Sequence, residues 1–298
     1  MTPSPLLLFA SCNQPYITPT PEILSLWSSM RSLNPAGFTW GGDAVYGDAV
    51  HGWNFTLSGP VPNRKPADYA KLIRSYDRVL REPFYPVSPA AYHFGTLDDH
   101  DLGVNNGGKW FGMAESNEAA EAFLGHFLER SNEGYYAGAG APYERGGDPV
   151  WARGALGSDP AFPGGKGVYG VKVFEFGGGA PRIYHEATRG GEYKFPGLGE
   201  GDPGSKIAVF VVDCRTNKDA WPPGIDMSNT AGTGLDFLGE GQWAWLEEAL
   251  GKSDARVNVL VNGLQVNSAN RIPSGNVAEV RARAKRGEGK GREGGGVR

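Results

Sequence analysis

The segment Leu97-Asp98-Asp99-His100-Asp101 constrains the fold of this chain more than any other stretch. It places three carboxylates and an imidazole directly after an apolar run over 90–97, which is typical of a β-strand. Carboxylates this close together repel one another, so a fold gathers them at a solvated edge or around a cation. In isolation, such a segment favours a solvated acidic turn.

Three other apolar runs also end in residues that can bind a metal. They are Leu6–Ala10 before Cys12, 38–40 before Asp43, and 207–212 before Asp213. If the four runs are neighbouring strands of one sheet, their carboxyl ends form a single rim, which is where ligands bind in α/β sheets. Thiolate, carboxylate and imidazole groups together favour a metal site at this rim.

The runs alternate with amphipathic segments, which predicts an α/β fold. The helix candidates are Pro66 to Leu80, Asn117 to Arg130, and Glu240 to Leu250. Pro66 suits a first helical position, and Gly251 suits a C-cap. Trp243, Trp245 and Leu246 are expected to anchor the last helix in the core.

Composition predicts one large domain over 1–278, because 298 residues with 40% apolar content can bury a sizeable core. A net charge of −4 gives no reason to expect nucleic acid. No apolar run approaches the ~20 residues of a transmembrane helix, and the run at 6–10 is too short for a signal-peptide core. Glycine-rich segments at 134–147, 154–167 and 197–204 are interpreted as surface loops, and the basic tail 279–298 as disordered.

Two cysteines do not form a disulfide scaffold. A bridge between Cys12 and Cys214 is conceivable, but Cys12 is favoured as a metal ligand because it opens the rim. Cys214 is interpreted as a buried thiol, since strand alternation points it away from Asp213.

The histidines outside the acidic segment are weaker indications of a functional site. His93 is expected in the core or on a sheet face, and His126 and His185 are expected to be structural. His51 is a weak candidate for the substrate side of the site.

Several motifs occur in the order found in one enzyme family. They are Ser11-Cys12-Asn13-Gln14-Pro15, Gly42-Asp43-Ala44-Val45-Tyr46, Asp98-Asp99-His100-Asp101, Val212-Asp213-Cys214-Arg215, Gly239-Glu240-Gly241-Gln242-Trp243-Ala244-Trp245-Leu246 and Asn262-Gly263-Leu264-Gln265-Val266. From about Leu6 to Val266 the chain resembles the PhoD-like alkaline phosphatases of the calcineurin-like metallophosphoesterase superfamily. The resemblance implies an αββα sandwich, in which two packed mixed β-sheets are flanked by helices.

The resemblance also implies hydrolysis of small phosphate mono- or diesters at a cluster of iron and calcium. Cys12 and Asp43 match metal ligands of the family, with Asp43 bridging two ions that stand about 3.5–4 Å apart. Tyr46 matches a tyrosine that binds ferric iron as phenolate. Asp99 matches a further ligand, and Asn105 is an additional oxygen donor.

The same resemblance assigns catalytic roles. His100 would meet the phosphate, and Asp101 would orient the His100 imidazole. Arg215 could fork onto phosphate oxygens. An alternative of equal weight is a structural salt bridge from Arg215 to Asp213 or Asp219.

The resemblance ends after Val266, where the family continues into another core strand and a Gly-Asp-Val-His block. In this chain His185 is the last histidine. We therefore expect a C-terminally incomplete domain that lacks the last core strands, with impaired catalysis. The alternatives are a non-catalytic remnant that binds phosphate or phosphorylated ligands, and a carboxylic-ester hydrolase. Against the latter, no Gly-x-Ser-x-Gly motif is present.

Overall fold

Two β-sheets form the centre of the fold. The computed structural model describes residues 3–13, 20–48, 67–105, 107–109, 113–139, 167–179, 181–185, 187–189, 192–195, 197–199, 201–219 and 236–264. The predicted α/β class is correct within these ranges.

The first sheet is parallel throughout. Its strands are β1 (Ser4–Ala10), β2 (Pro35–Trp40) and β3 (Tyr92–Gly95), in the order β1-β2-β3. Helices α1 (Pro21–Ser32) and α2 (Tyr69–Leu80) lie between them in sequence. Every residue of β2 and β3 is buried, as expected for a parallel sheet that is covered on both faces.

The first sheet has a helical layer on one face. Phe38 and Trp40 of β2 contact Trp27 of α1, and Trp40 also contacts Phe127. Phe127 belongs to a helical run that comprises α4 (Met113–Glu121), a wider π-helical segment (Ala122–Leu128), α5 (Glu129–Ser131) and α6 (Glu133–Ala139). The predicted loop at 134–147 is therefore helical at its start. Residues 140–147 lie outside the described ranges.

The second sheet is mixed. Its strands are β4 (Gly170–Glu175), β5 (Arg182–His185), β8 (Lys206–Val211) and β9 (Val257–Val261), in the order β5-β4-β8-β9. β4 is antiparallel to β5 and β8, whereas β8 and β9 are parallel. Strands β6 (Ala187–Arg189) and β7 (Glu192–Lys194) form a separate antiparallel pair, and α3 (Asp99–Leu102) and α7 (Glu240–Lys252) complete the labelled elements.

The two sheets pack face to face. Phe94 of the first sheet contacts Phe174 of the second, with ring centroids 5.8 Å apart. A Cβ on Gly37 would lie 2.8 Å from the Phe174 ring, so the sheets approach closely where β2 has no side chain. The prediction of two packed sheets with flanking helices is correct. The first sheet is parallel and not mixed, because helical crossovers connect its strands.

Helix α7 covers the outer face of the second sheet. Trp245, Leu246 and Ala249 join the apolar cluster that contains Val171 and Phe210. The prediction that Trp243 is a core anchor is wrong, since its side chain is 53% exposed. Positions two apart on a helix are separated by about 200°, so Trp243 and Trp245 point to opposite sides.

The ends of the predicted helices shift, and the one predicted from Asn117 begins at Met113. α2 begins after Asp68, whose carboxylate accepts a hydrogen bond of 2.7 Å from the Lys71 N–H as an N-cap. Pro66 lies outside the described residues. α7 continues through Gly251 and ends before Ser253, which is its C-cap in an extended conformation.

In the part of the chain that the structure describes, no helix combines the length and apolarity required to cross a bilayer. The predictions for His51, for most of the loop at 154–167 and for the tail 279–298 concern residues outside that part. The turn at 197–204 is described in part and includes a short 3₁₀ helix, Pro203–Ser205.

Candidate metal centre

The carboxyl ends of strands from both sheets meet at one rim. The Cys12 N–H donates to the Gly42 carbonyl over 3.3 Å, and the Asn13 N–H donates to the Asp43 carbonyl over 2.8 Å. After β3, the Thr96 hydroxyl lies 3.2 Å from the carbonyl of Val212, which follows β8. The predicted rim is correct, but it spans two sheets, because β8 belongs to the second sheet and not the first.

Asp43, Asp99 and His100 offer side-chain ligand atoms that all lie within 4.8 Å of one another. All three residues are buried. Asp99 and His100 begin the short helix α3, and the His100 N–H donates to Asp43 Oδ1 over 3.2 Å. The cluster therefore joins the loop after β2 to the loop after β3.

Backbone strain marks the same loops. Asp43 has φ +51° and Cys12 has φ +56°, in the left-handed region that side-chain-bearing residues rarely adopt. Gly42 before Asp43 has φ +100°, and a Cβ there would lie 2.5 Å from the Cβ of Asp98. A left-handed backbone is costly at residues that carry side chains, and such strain clusters at functional sites.

Asp48 holds the ring of His100. The Asp48 Oδ1 atom lies 2.7 Å from His100 Nδ1, and both side chains are buried. An ionised carboxylate only accepts hydrogen bonds, so the pairing puts the ring proton on Nδ1 and makes Nε2 the atom that can bind a metal or a phosphoryl oxygen. The ring of Tyr46 lies against the imidazole, with centroids 4.0 Å apart.

The predicted role of Asp101 is wrong, because it is Asp48 that orients His100. The carboxylate of Asp101 instead accepts hydrogen bonds from the N–H groups of Ala44, Val45 and Asp98 and from the hydroxyl of Tyr76. Asp101 thus fastens the loop after β2 to α3 and α2. Burial, which outweighs these hydrogen bonds, raises the pKa of Asp101 to about 7.

Crowding makes the charged form of Asp43 costly. Burial first, and then the neighbouring charges led by Asp98, raise the pKa of Asp43 to about 10. A cation among these carboxylates would reverse the effect, because an opposite charge favours the ionised form. The electrostatics of the cluster therefore favour a positively charged ligand.

Three further predicted ligands lie around this group. Cys12 is exposed, is bonded through its backbone to the Gly42 carbonyl, and its thiol is close enough to Asp43 to raise the pKa of that carboxyl. Asn105 donates its backbone N–H to Asp48 Oδ2 over 3.0 Å. Metal ligation by Cys12, Tyr46 and Asn105 stays a prediction.

Cys214 is buried and free, as predicted, and burial raises the pKa of its thiol to about 12. No bridge joins it to Cys12, since both cysteines are free. His93 is buried in the core, as predicted, with its ring centroid 5.5 Å from that of Phe38.

Arg215 enters the cluster from the second sheet. Its Nε donates to Asp98 Oδ1, and its Nη2 lies 3.7 Å from Asp99 Oδ1. The alternative partners predicted for Arg215 are wrong: the Asp213 carboxylate accepts from the N–H groups of Val168, Arg215 and Thr216, and Asp219 pairs with Lys109. These contacts engage Nε and Nη2, and a guanidinium carries five N–H donors, so the role of Arg215 toward a phosphate stays a prediction.

Sequence reasoning missed two residues of this site, Asp48 and Lys218. Asp48 is the second acid of the loop after β2, but nothing in its spacing points to a histidine 52 positions later. Lys218 is buried, and burial followed by the charge of Arg215 lowers its pKa to about 8. Its position three residues after Arg215 was a usable signal for a second cation near the rim.

The donor set fits one metal ion. Ligand atoms about 2.0–2.2 Å from a common ion stand no more than about 4.4 Å apart, so a small contraction of the observed cluster would satisfy the coordination. Two carboxylates and one imidazole suit zinc, manganese or ferrous iron. The combination of iron and calcium is implied by the resemblance, whereas this donor set selects no single metal.

Comparison of the chain with protein-family models, with curated proteins and with solved structures finds no match.

Proposed function

We propose that this chain is a metal-dependent hydrolase of phosphate esters. The observation that carries the proposal is the buried group of Asp43, Asp99 and His100 at the meeting point of strand ends, with Asp48 fixing the imidazole. The order of motifs that resembles the PhoD-like phosphatases supports the same reaction. A buried cluster of this kind would be costly to a protein that had no cation to place there.

Each residue of the cluster has a task under this proposal. Asp43 and Asp99 hold the ion, and His100 completes the ligand set through Nε2. Asp48 keeps the imidazole in the tautomer that ligation requires. A bound divalent ion supplies Lewis-acid polarisation of a phosphoryl oxygen.

The cationic side chains would balance an anionic substrate. Arg215 and Lys218 lie beside the carboxylates, and their charges offset part of the repulsion that a phosphate would meet there. Substrates would be small phosphomonoesters or phosphodiesters.

Metal analysis combined with a hydrolysis assay tests the proposal. The chain is freed of metal with a chelator, reloaded with Mn²⁺, Zn²⁺, Fe²⁺ or Ca²⁺, and assayed on p-nitrophenyl phosphate and bis-p-nitrophenyl phosphate. We expect turnover that depends on metal and falls at least about 100-fold in Asp43→Asn. Removal of a metal ligand should lower activity more than the roughly 10–100-fold that is typical for removal of a residue that only hydrogen-bonds to a ligand. Absence of both metal and turnover from the wild type would reject the proposal.

Asp68→Asn is the matched control. It makes the same chemical change at the N-cap of α2, where asparagine caps as well as aspartate does. It should keep wild-type metal content and turnover.

His100→Gln separates two roles of the imidazole. If His100 is a metal ligand, the variant should have a lower metal content than the wild type. Retention of the metal with loss of turnover would instead give His100 the phosphate-facing role that the resemblance implies.

A further inference from the structure

Arg215 already provides a fixed cation at the acidic rim. Its side chain is 6% exposed, and its guanidinium pairs with Asp98 and Asp99. A guanidinium keeps its charge at every pH relevant to proteins, so it behaves as a permanent positive ion at this position.

The space around Asp98 is filled by backbone. A Cβ on Gly42 would lie 2.5 Å from the Asp98 Cβ, and a Cβ on Gly263 would lie 2.7 Å from the Asp98 Cγ. The loop after β2 and the loop after β9 thus close on this carboxylate from two sides. Because the guanidinium donates to Oδ1, a second cation that approached this carboxylate would meet the positive charge of Arg215.

Two other rim carboxylates are occupied by hydrogen bonds within the protein. Asp101 accepts from three backbone N–H groups and from Tyr76. Asp213 accepts from three backbone N–H groups and from the hydroxyl of Thr216. Ligation of a metal by either residue would break bonds that hold the rim loops, which would leave buried donors without acceptors.

We infer that the site binds a single metal ion, at Asp43, Asp99 and His100, and that Arg215 takes the place of a second one. This inference rests on the proposed function and differs from the expectation that Asp43 bridges two ions. Arg215 is thereby a positioning residue: it neutralises Asp98, keeps Asp99 directed into the cluster and repels a further cation.

Stoichiometric titration of the metal-free chain with Mn²⁺ tests this inference. Calorimetry gives the number of ions bound, and the EPR spectrum distinguishes an isolated Mn²⁺ from a magnetically coupled pair. We expect one uncoupled ion per chain in the wild type. Arg215→Lys keeps the positive charge and should also bind one ion.

Arg215→Met removes the charge at similar bulk. We expect it to bind a second Mn²⁺ at Asp98, with the signal of a coupled pair. The double variant Asp98→Asn with Arg215→Met removes both charges of the buried pair, avoids an unpaired carboxylate, and should return to one ion. If the single variant does not fold, two ions in this double variant would still overturn the inference.

Two ions in the wild type, or two in the double variant, would overturn the inference while leaving the proposed function in place. A single ion in folded Arg215→Met would also overturn it, because Arg215 would then not be what excludes the second. Absence of bound Mn²⁺ from the wild type would instead reject the proposed function itself.

Discussion

Metal binding to this chain should release a proton from Asp43. Burial and neighbouring carboxylates raise the pKa of Asp43 to about 10, so the carboxyl group of the metal-free chain is protonated at pH 7. A carboxylate must lose its proton before it can bind a metal. We therefore expect binding of one Mn²⁺ to release about one proton from Asp43 at neutral pH.

The assay is isothermal titration calorimetry in a series of buffers with different ionisation enthalpies. The slope of observed enthalpy against buffer enthalpy gives the number of protons released per ion. Asp43→Asn should lower this number by about one, because asparagine carries no titrating proton. Asp68→Asn should leave it unchanged.

The sign of the pH dependence follows from the same shift. Affinity for Mn²⁺ should rise with pH toward the raised pKa of Asp43, as the competing proton is lost more easily. A slope of zero in the wild type would refute the reasoning, because it would show that Asp43 is already ionised in the metal-free chain.

Further predictions concern the supports of the site and the core. Gly42→Ala should lower the free energy of unfolding by about 2–4 kcal/mol in chemical denaturation, because the new Cβ would lie 2.5 Å from Asp98 in a left-handed backbone. The control is Gly179→Ala, where nothing lies within 4 Å of the new Cβ. An equal loss of stability in the two variants would contradict the prediction. Asp48→Asn should weaken Mn²⁺ binding about 10–100-fold in calorimetry, because a neutral asparagine accepts a weaker hydrogen bond from the imidazole of His100. Unchanged affinity would show that Asp48 does not orient His100 for metal binding. Burial lowers the pKa of His93 to about 4, so the native state favours the neutral ring and stability should fall as pH drops from about 6.5 toward 4. Between pH 7 and pH 4.5, this histidine should account for a loss of up to about 3 kcal/mol in the free energy of unfolding, measured by chemical denaturation at both pH values. That part of the loss should be absent from His93→Phe.

The strand ends of this site could be predicted because the relevant signals are local. Cys12, Asp43 and Asp99 each lie within three residues of the end of an apolar run, so the pattern shows both the strand and the group at its end. The carboxyl ends of parallel strands meet at one edge, which brings distant segments together without further information.

The partners within the site could not be predicted because they depend on contacts between loops. Asp48 and His100 are 52 positions apart, and Arg215 and Asp98 are 117 apart. Asp101 has the same chemistry as Asp48 and is adjacent to His100 in sequence. Backbone geometry, however, turns its carboxylate toward Ala44 and Val45 and away from the imidazole.

The acidic rim and the docking of the two sheets depend on each other. Asp98 and Asp99 follow a strand of the first sheet, whereas Arg215 and Gly263 follow strands of the second and close on Asp98. Repulsion among the carboxylates would oppose this approach, and the guanidinium offsets it on the Asp98 side. Burial still raises the pKa of Asp98, and it raises that of Asp43 to about 10 although the charge of Arg215 also acts on Asp43. The fold thus pairs Asp98 with its own side chain, and it leaves Asp43 in the state that a cation would stabilise.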